Sequence, residues 1–160
     1  MKRKIIIIIV LIFKFIKICI SQDTDENKKL ELEIYFIEGL RYEVKNDYKS
    51  ALKIYLELNK KYGEVDIINY KIARMLYDLN DYKNALKYAE NAYLKRKEDI
   101  NYFILYIDLL IKNKKIDTAQ KIIKEIIKTT RNERIYMYIL NFCDKLNLER
   151  EEKKVIKKGK

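Results

Sequence analysis

A chain of 160 residues, 49% hydrophobic and 37% charged, has room for one domain of ordinary size and enough apolar residues to fold it. His is absent, which excludes a Ser-His-Asp triad, a Cys-His dyad and a His-ligated metal. The formal charge of +11 sits mainly at the two ends, so it points to basic termini and a solvated helical exterior rather than a phosphate-binding groove.

Met1 to Lys4 is a short basic run, and Ile5 to Phe13 are nine unbroken apolar residues. A positive segment, an apolar segment and small residues at Cys19 and Ser21 have the order of a secretory signal. Cleavage is expected after Ser21, leaving a mature start at Gln22 and a polar leader over 22–29. The apolar run is shorter than the roughly 20 residues of a spanning helix, so an uncleaved anchor through residues 5–20 is the second choice. Lipidation of Cys19 is the third, because Ile18 precedes it where a small residue is wanted.

From Leu30 onward the pattern is helical. Leu30, Ile34, Ile37 and Val44 recur near a 3.6-residue spacing, with Tyr35 and Tyr42 beside them. Asn46 suits a left-handed helix stop, and Asp47 can cap a second helix running from about Tyr48 to Tyr62 and ending at Gly63. Val65 or Asp66 opens a third helix, Asn80-Asp81 turns it, and Tyr82 to Arg96 returns. Asp99 caps a fifth helix, Asn113 turns the chain, and Ile116 to Lys128 is the sixth. Asn132 caps a seventh helix, expected to be the solvent-facing end of the array over 134–147. Residues 148–160 read as a charged tail. Cys143, among Ile139, Leu140 and Phe142, is expected to act as a buried small hydrophobe.

The heptapeptide Asn46-Asp47-Tyr48-Lys49-Ser50-Ala51-Leu52 returns as Asn80-Asp81-Tyr82-Lys83-Asn84-Ala85-Leu86, and Lys115-Ile116-Asp117-Thr118-Ala119 is a looser third copy. Ala51, Ala85 and Ala119 stand 34 residues apart, which divides the chain into repeats of about 32–65, 66–99 and 100–133. A fixed period of this length marks stacked helix pairs that bury their apolar faces only against one another.

With this period, the chain resembles the tetratricopeptide repeat family, whose pattern is W-x2-L-G-x2-Y, then A-x3-F, then P. Tyr35, Gly39, Tyr42, Ala51 and Tyr55 occupy those places in the first repeat, with Glu38 where Leu is usual. Ile72, Ala73, Leu76, Tyr82, Ala85 and Ala92 follow in the second, where Asn69 replaces the leading aromatic. Phe103, Leu110, Ala119 and Ile123 match in the third, and Met137 and Leu140 in the fourth, which has Asn141 and Asp144 at the small and aromatic positions. Gly63, Lys97 and Arg131 stand where the closing Pro would be. The resemblance implies an all-α, right-handed superhelix of about three helix hairpins plus a capping helix. Small residues at Gly39 and Ala73 are expected to face Ala51 and Ala85, letting each pair of backbones approach closely, with Ala119 in the same role.

The same resemblance implies a concave groove lined by the first helix of each pair. Position within the repeat assigns to it Glu33, Phe36, Leu40 and Glu43, then Ile67, Tyr70, Arg74 and Tyr77. Asn101, Ile104, Asp108 and Ile111 follow, and Ile135, Tyr138 and Phe142 complete the face. The function implied is a non-catalytic scaffold, exported to the periplasm or cell envelope of a bacterium, that holds a peptide or helix of another protein, with Arg74 and Asp108 setting its register. The alternative is a small assembly subunit whose groove is filled by a second copy or by its own termini. No cofactor, metal or nucleic acid is expected, and membrane contact only through an uncleaved or lipidated N-terminal segment. No arrangement of Lys or carboxylates singles out an active site.

Overall fold

The computed structural model describes residues 26–63, 65–129 and 133–145. The expected signal over 1–21, the Asn132 cap and the tail over 148–160 lie outside these residues. Among the described residues every regular element is an α-helix, and no helix is long and apolar enough to cross a membrane.

Helix α1 covers residues 26–44 and is followed by α2 (Tyr48–Tyr62), α3 (Asp66–Asp78), α4 (Tyr82–Lys95), α5 (Ile100–Lys112), α6 (Ile116–Thr129) and α7 (Glu133–Lys145). Residues 26–29, expected in the polar leader, already belong to α1. Each turn inside a hairpin is built the same way. Asn46, Asn80 and Lys114 adopt left-handed backbone angles (φ 58°, 64° and 59°), again 34 residues apart. The next amide then donates back across the turn: Asp47 N to Tyr42 O at 3.0 Å, Asp81 N to Leu76 O at 2.8 Å and Lys115 N to Leu110 O at 2.8 Å. These bonds satisfy carbonyls that the helix end would leave open. The third turn departs from expectation by one residue, since Asn113 keeps φ −87° and ends α5 while Lys114 takes the left-handed position.

The new helix is then capped by the side chain that follows the turn. Asp47 accepts from Ser50 N at 3.1 Å and Asp81 from Asn84 N at 3.2 Å. Asn46 and Asn80 also accept from the hydroxyls of Tyr48 (2.9 Å) and Tyr82 (2.6 Å), so the repeated Asn-Asp-Tyr is one hydrogen-bonded unit. Asp99 caps α5 by accepting from Asn101 N and Tyr102 N. At the far end of the hairpins, Glu31 accepts from Lys61 and Tyr62, and Asp66 pairs with Arg96 at 2.7 Å. Tyr62 and Arg96 occupy the same place in their repeats.

The core runs along the array, with Ile72, Phe103, Ile107, Leu109 and Ile123 among its fully buried side chains. Ala51, Ala73, Ala85 and Ala119 are all completely buried, as close helix approach requires. Gly39 is buried too, but for a different reason from the one expected. A Cβ there would lie 2.6 Å from two ring atoms of Tyr55, so the missing side chain makes room for an aromatic ring rather than for Ala51. In the next repeat the same two places hold Ala73 and Ala89, one methyl on each side, both buried. Cys143 is buried at 1% exposure.

The apolar stripe of α1 faces away from the array. Leu30, Ile34, Ile37 and Val44 are 55%, 56%, 56% and 84% exposed. The inward side of this helix consists of Leu32, Phe36, Gly39 and Tyr42.

Candidate binding cleft

Helices α3, α5 and α7 present one side to a common concavity. Side chains from α3, α5 and α7 enclose a cleft of about 450 Å³ lined by Tyr70, Arg74, Tyr77, Asn101, Ile104, Leu105, Asp108, Tyr138, Asn141 and Phe142. The helical repeat explains who gets there. Tyr70, Arg74 and Tyr77 are spaced by four and three residues along α3, and Asn101, Ile104 and Asp108 by three and four along α5, so each set shares a face.

The walls are aromatic and held from behind. Tyr70 stacks on Tyr102 with centroids 4.9 Å apart, and the guanidinium of Arg96 lies 6.0 Å from the Tyr102 ring. Tyr77 meets Tyr82 edge-on at 5.3 Å, with the Lys112 ammonium 5.1 Å from the Tyr82 centroid and 5.9 Å from that of Tyr77. Phe142 packs edge-on against Phe103 at 6.4 Å. Paired rings of this kind have little rotamer freedom left, so a ligand meets a surface already ordered.

Polar groups are few and of both signs. The Tyr77 hydroxyl donates to Asp108 at 2.6 Å, a bond from α3 to α5. That bond, with burial and the negative charge of Asp108 adding to it, pushes the Tyr77 phenol up to about 12. Burial likewise raises Tyr70 and lifts Tyr102 to about 12. Arg74 reaches Asp78 one turn on at 3.5 Å, and its side chain remains 52% exposed. The cleft therefore offers an extended cation over aromatic walls, a carboxylate already engaged by a phenol, and the amides of Asn101 and Asn141 at its edge.

Of the residues assigned to the groove by position, Tyr70, Arg74, Tyr77, Asn101, Ile104, Asp108, Tyr138 and Phe142 come together in this cleft. Phe36 does not. It packs on Tyr55 at 5.6 Å and lines a separate apolar notch of about 190 Å³ with Leu32, Glu33, Val65, Ile67 and Ile68. Leu40 lies with Ile37, Arg41, Val44 and Lys45 in a shallow hollow along α1. Glu43 is engaged by Tyr55 (2.5 Å) and by Lys71 (2.9 Å), a bond joining α1 to α3 that leaves it little to offer a ligand. Ile135 is only 4% exposed and belongs to the core. Leu105 and Asn141 were missed. Leu105 lies four residues after Asn101 and Asn141 three after Tyr138, so the helical spacing that found their neighbours also reaches them.

Antiparallel helix pairs stacked at a fixed interval define a helical-repeat protein. Residues 76–139 match the sequence profile described as tetratricopeptide repeat. Over that stretch the chain carries the tetratricopeptide repeat pattern. Among solved structures, the MamA double mutant RS-1 ArsTM is similar with a TM-score of 0.64 and 15% identity, over 80% of this chain and 72% of that one. MamA 41-end from Desulfovibrio magneticus RS-1 gives 0.63 and 16%, over 80% and 73%. The TPR2B domain of yeast Sti1, in its complex with pHsp70, gives 0.56 and 19%, over 80% and 98%. No curated protein sequence matches.

Proposed function

We propose that this chain is a protein–protein interaction scaffold that holds a segment of a partner protein, extended or helical, in the cleft between α3, α5 and α7. The observation carrying this reading is the cleft itself: about 450 Å³, with fixed aromatic walls and one extended cation. Concave surfaces with apolar walls and a few placed polar groups are the usual form of a recognition site. The Sti1 domain of similar fold is in complex with pHsp70, which supports the same use of the fold here. Arg74 is the anchor in this reading, set to pair with an acidic or carbonyl group while Ile104 and Tyr138 take an apolar side chain. Asp108, already bonded to Tyr77, orients the wall rather than the ligand.

Work outside the cytoplasm is part of the proposal, supported by the signal-like order of residues 1–21. N-terminal sequencing of exported protein should then begin at Gln22, and a protein that keeps residues 1–21 contradicts cleavage.

Peptides selected from a random display library against the full chain provide the test. An exposed Arg at the centre of a contact typically contributes about 2 kcal/mol, or roughly thirtyfold in Kd. Arg74→Ala and Tyr138→Ala should weaken selected peptides by at least tenfold, and Lys87→Ala and Lys95→Ala, on exposed positions of α4, should not. Equal losses at all four positions contradict the assignment. Tyr70 is unsuitable for this test, because its stacking on Tyr102 ties it to stability.

A further inference from the structure

The two sides of the array differ in charge. Helices α2, α4 and α6 carry ten lysines against four carboxylates, while α3, α5 and α7 carry five basic and five acidic residues and α1 three and five. No residue of α2, α4 or α6 lines the cleft. The lysines are in register. Lys53, Lys87 and Lys121 stand 34 residues apart, at the same place on each of the three helices, and all are exposed. None of the three takes part in an ion pair among the described residues. The four carboxylates do not cancel them. Glu90 accepts from the Tyr106 hydroxyl at 3.1 Å, and Glu57, Asp117 and Glu125 still leave an excess of positive charge on each helix.

The residue types on these helices say which anion fits. No Arg and no aromatic ring is among their exposed residues, so the face lacks the forked donors and stacking platforms that read nucleic acid. It has leucines instead. Leu56 and Leu94 are 39% and 57% exposed, three residues from Lys53 and seven from Lys87, and so share the lysine side. Ammonium groups on flexible apolar stems, with leucines between them, match a phospholipid surface. There the charge meets headgroup phosphates while the stems and leucines meet the acyl boundary. The signal-like order of residues 1–21 supplies a route to such a surface, whether that segment is cleaved or kept. We infer that α2, α4 and α6 form a docking face for an anionic phospholipid membrane. Bound this way, the array keeps the cleft of α3, α5 and α7 clear of the bilayer and open to a partner. The face and the cleft share no residue, so either can fail while the other stands.

The test uses the full chain with Cys19→Ser and Leu94→Cys, the new thiol carrying an environment-sensitive fluorophore; Cys143 is buried and stays unlabelled. Vesicles of equal parts phosphatidylglycerol and phosphatidylcholine should shift its emission to the blue. Phosphatidylcholine alone should not, and added salt should reverse the shift. The label reads contact of this face with lipid, whatever residues 1–21 do. The same label at Asn101→Cys, in the cleft, should not shift. Lys53→Glu, Lys87→Glu and Lys121→Glu together should raise the lipid concentration needed by roughly a hundredfold, at about fivefold for each lysine lost. Helical circular dichroism and peptide binding in the cleft should not change, since all three positions are exposed on the other helices. Lys29→Glu, Arg41→Glu and Lys45→Glu alter the net charge equally from exposed positions on and beside α1, and should cost no more than about threefold. Equal losses from the two triple variants overturn the proposal, because net charge and not the face would then be acting. So does a Leu94→Cys label indifferent to phosphatidylglycerol, or a shift seen only at Asn101→Cys. A DNA duplex that binds as tightly as the vesicles, and is released by the same three lysine changes, overturns it in favour of nucleic acid.

Discussion

The third hairpin turn has the geometry of the first two without their chemistry, and this difference is worth a measurable amount of stability. Lys114 holds φ 59°, where Asn46 and Asn80 hold 58° and 64°. A left-handed residue with a Cβ costs roughly 1–2 kcal/mol, and Asn tolerates the conformation better than Lys. Lys114→Asn should therefore recover about 0.5–1 kcal/mol. Lys115 occupies the place of Asp47 and Asp81, the side chains that accept from amides three residues on. A lysine cannot accept there, and its charge opposes the positive end of α6. Lys115→Asp, aimed at the Thr118 amide, should add about 1 kcal/mol, the usual worth of an N-cap. Both positions are exposed, so neither change disturbs packing. The double variant should gain about 1.5–2 kcal/mol, seen in thermal unfolding as a rise of several degrees, at about 4 °C per kcal/mol. The reverse change, Asn80→Lys, should cost at least as much as Lys114→Asn gains, because it also removes the bond from Tyr82. Circular dichroism and tyrosine fluorescence, followed together, check that one transition is being read. A double variant no more stable than the parent, alongside a neutral Asn80→Lys, refutes the reasoning about these turns.

Gly39→Ala sets helix propensity against packing: the substitution gains roughly 0.5–1 kcal/mol of propensity but drives a methyl into the Tyr55 ring, whose hydroxyl is fixed on Glu43, and overpacking typically costs about 1–3 kcal/mol. Net destabilisation by chemical denaturation is expected, with partial rescue by Tyr55→Leu; a stabilised Gly39→Ala would show that the ring yields freely. Tyr77 supplies a pH test. Its folded pKa is raised to about 12 by the bond to Asp108, above the usual value of 10, so its contribution to stability is complete below pH 10 and is lost as pH climbs through 12. Unfolding measured across that interval should be less pH-dependent in Tyr77→Phe than in the parent, and identical slopes contradict the assignment.

The turns were legible because their chemistry is local. Asn-Asp-Tyr names the left-handed residue, the cap and the hydroxyl that joins them, and the 34-residue interval then places every hairpin. Where a copy loses those side chains, the register still holds and the residue identity misleads, which is why the left-handed position fell on Lys114 and not on Asn113. The exposed side of α1 was not legible. Leu30, Ile34, Ile37 and Val44 have the same spacing as a buried stripe, and spacing alone does not tell a helix inside an array from one at its edge. The cleft lies between these cases. Helical spacing brought Tyr70, Arg74 and Tyr77 to one side of α3, and the repeat interval set Asp108 beside them on α5. Phe36 and Leu40 were carried over by the same interval, but the cleft is enclosed by α3, α5 and α7, and α1 lies outside it. Periodicity assigns a face to each helix; which faces meet depends on how the stacked pairs curve.

Hydrogen exchange of the full chain with and without a display-selected peptide tests the central claim most directly. Helix amides near a bound segment exchange more slowly because local opening now requires release of the ligand. Protection is predicted over 70–77, 101–108 and 138–142, the three stretches that line the cleft, with residues 83–95 of α4 unchanged. Protection concentrated on α2, α4 and α6, with the cleft helices unaffected, would contradict the account and move recognition to the opposite side of the array.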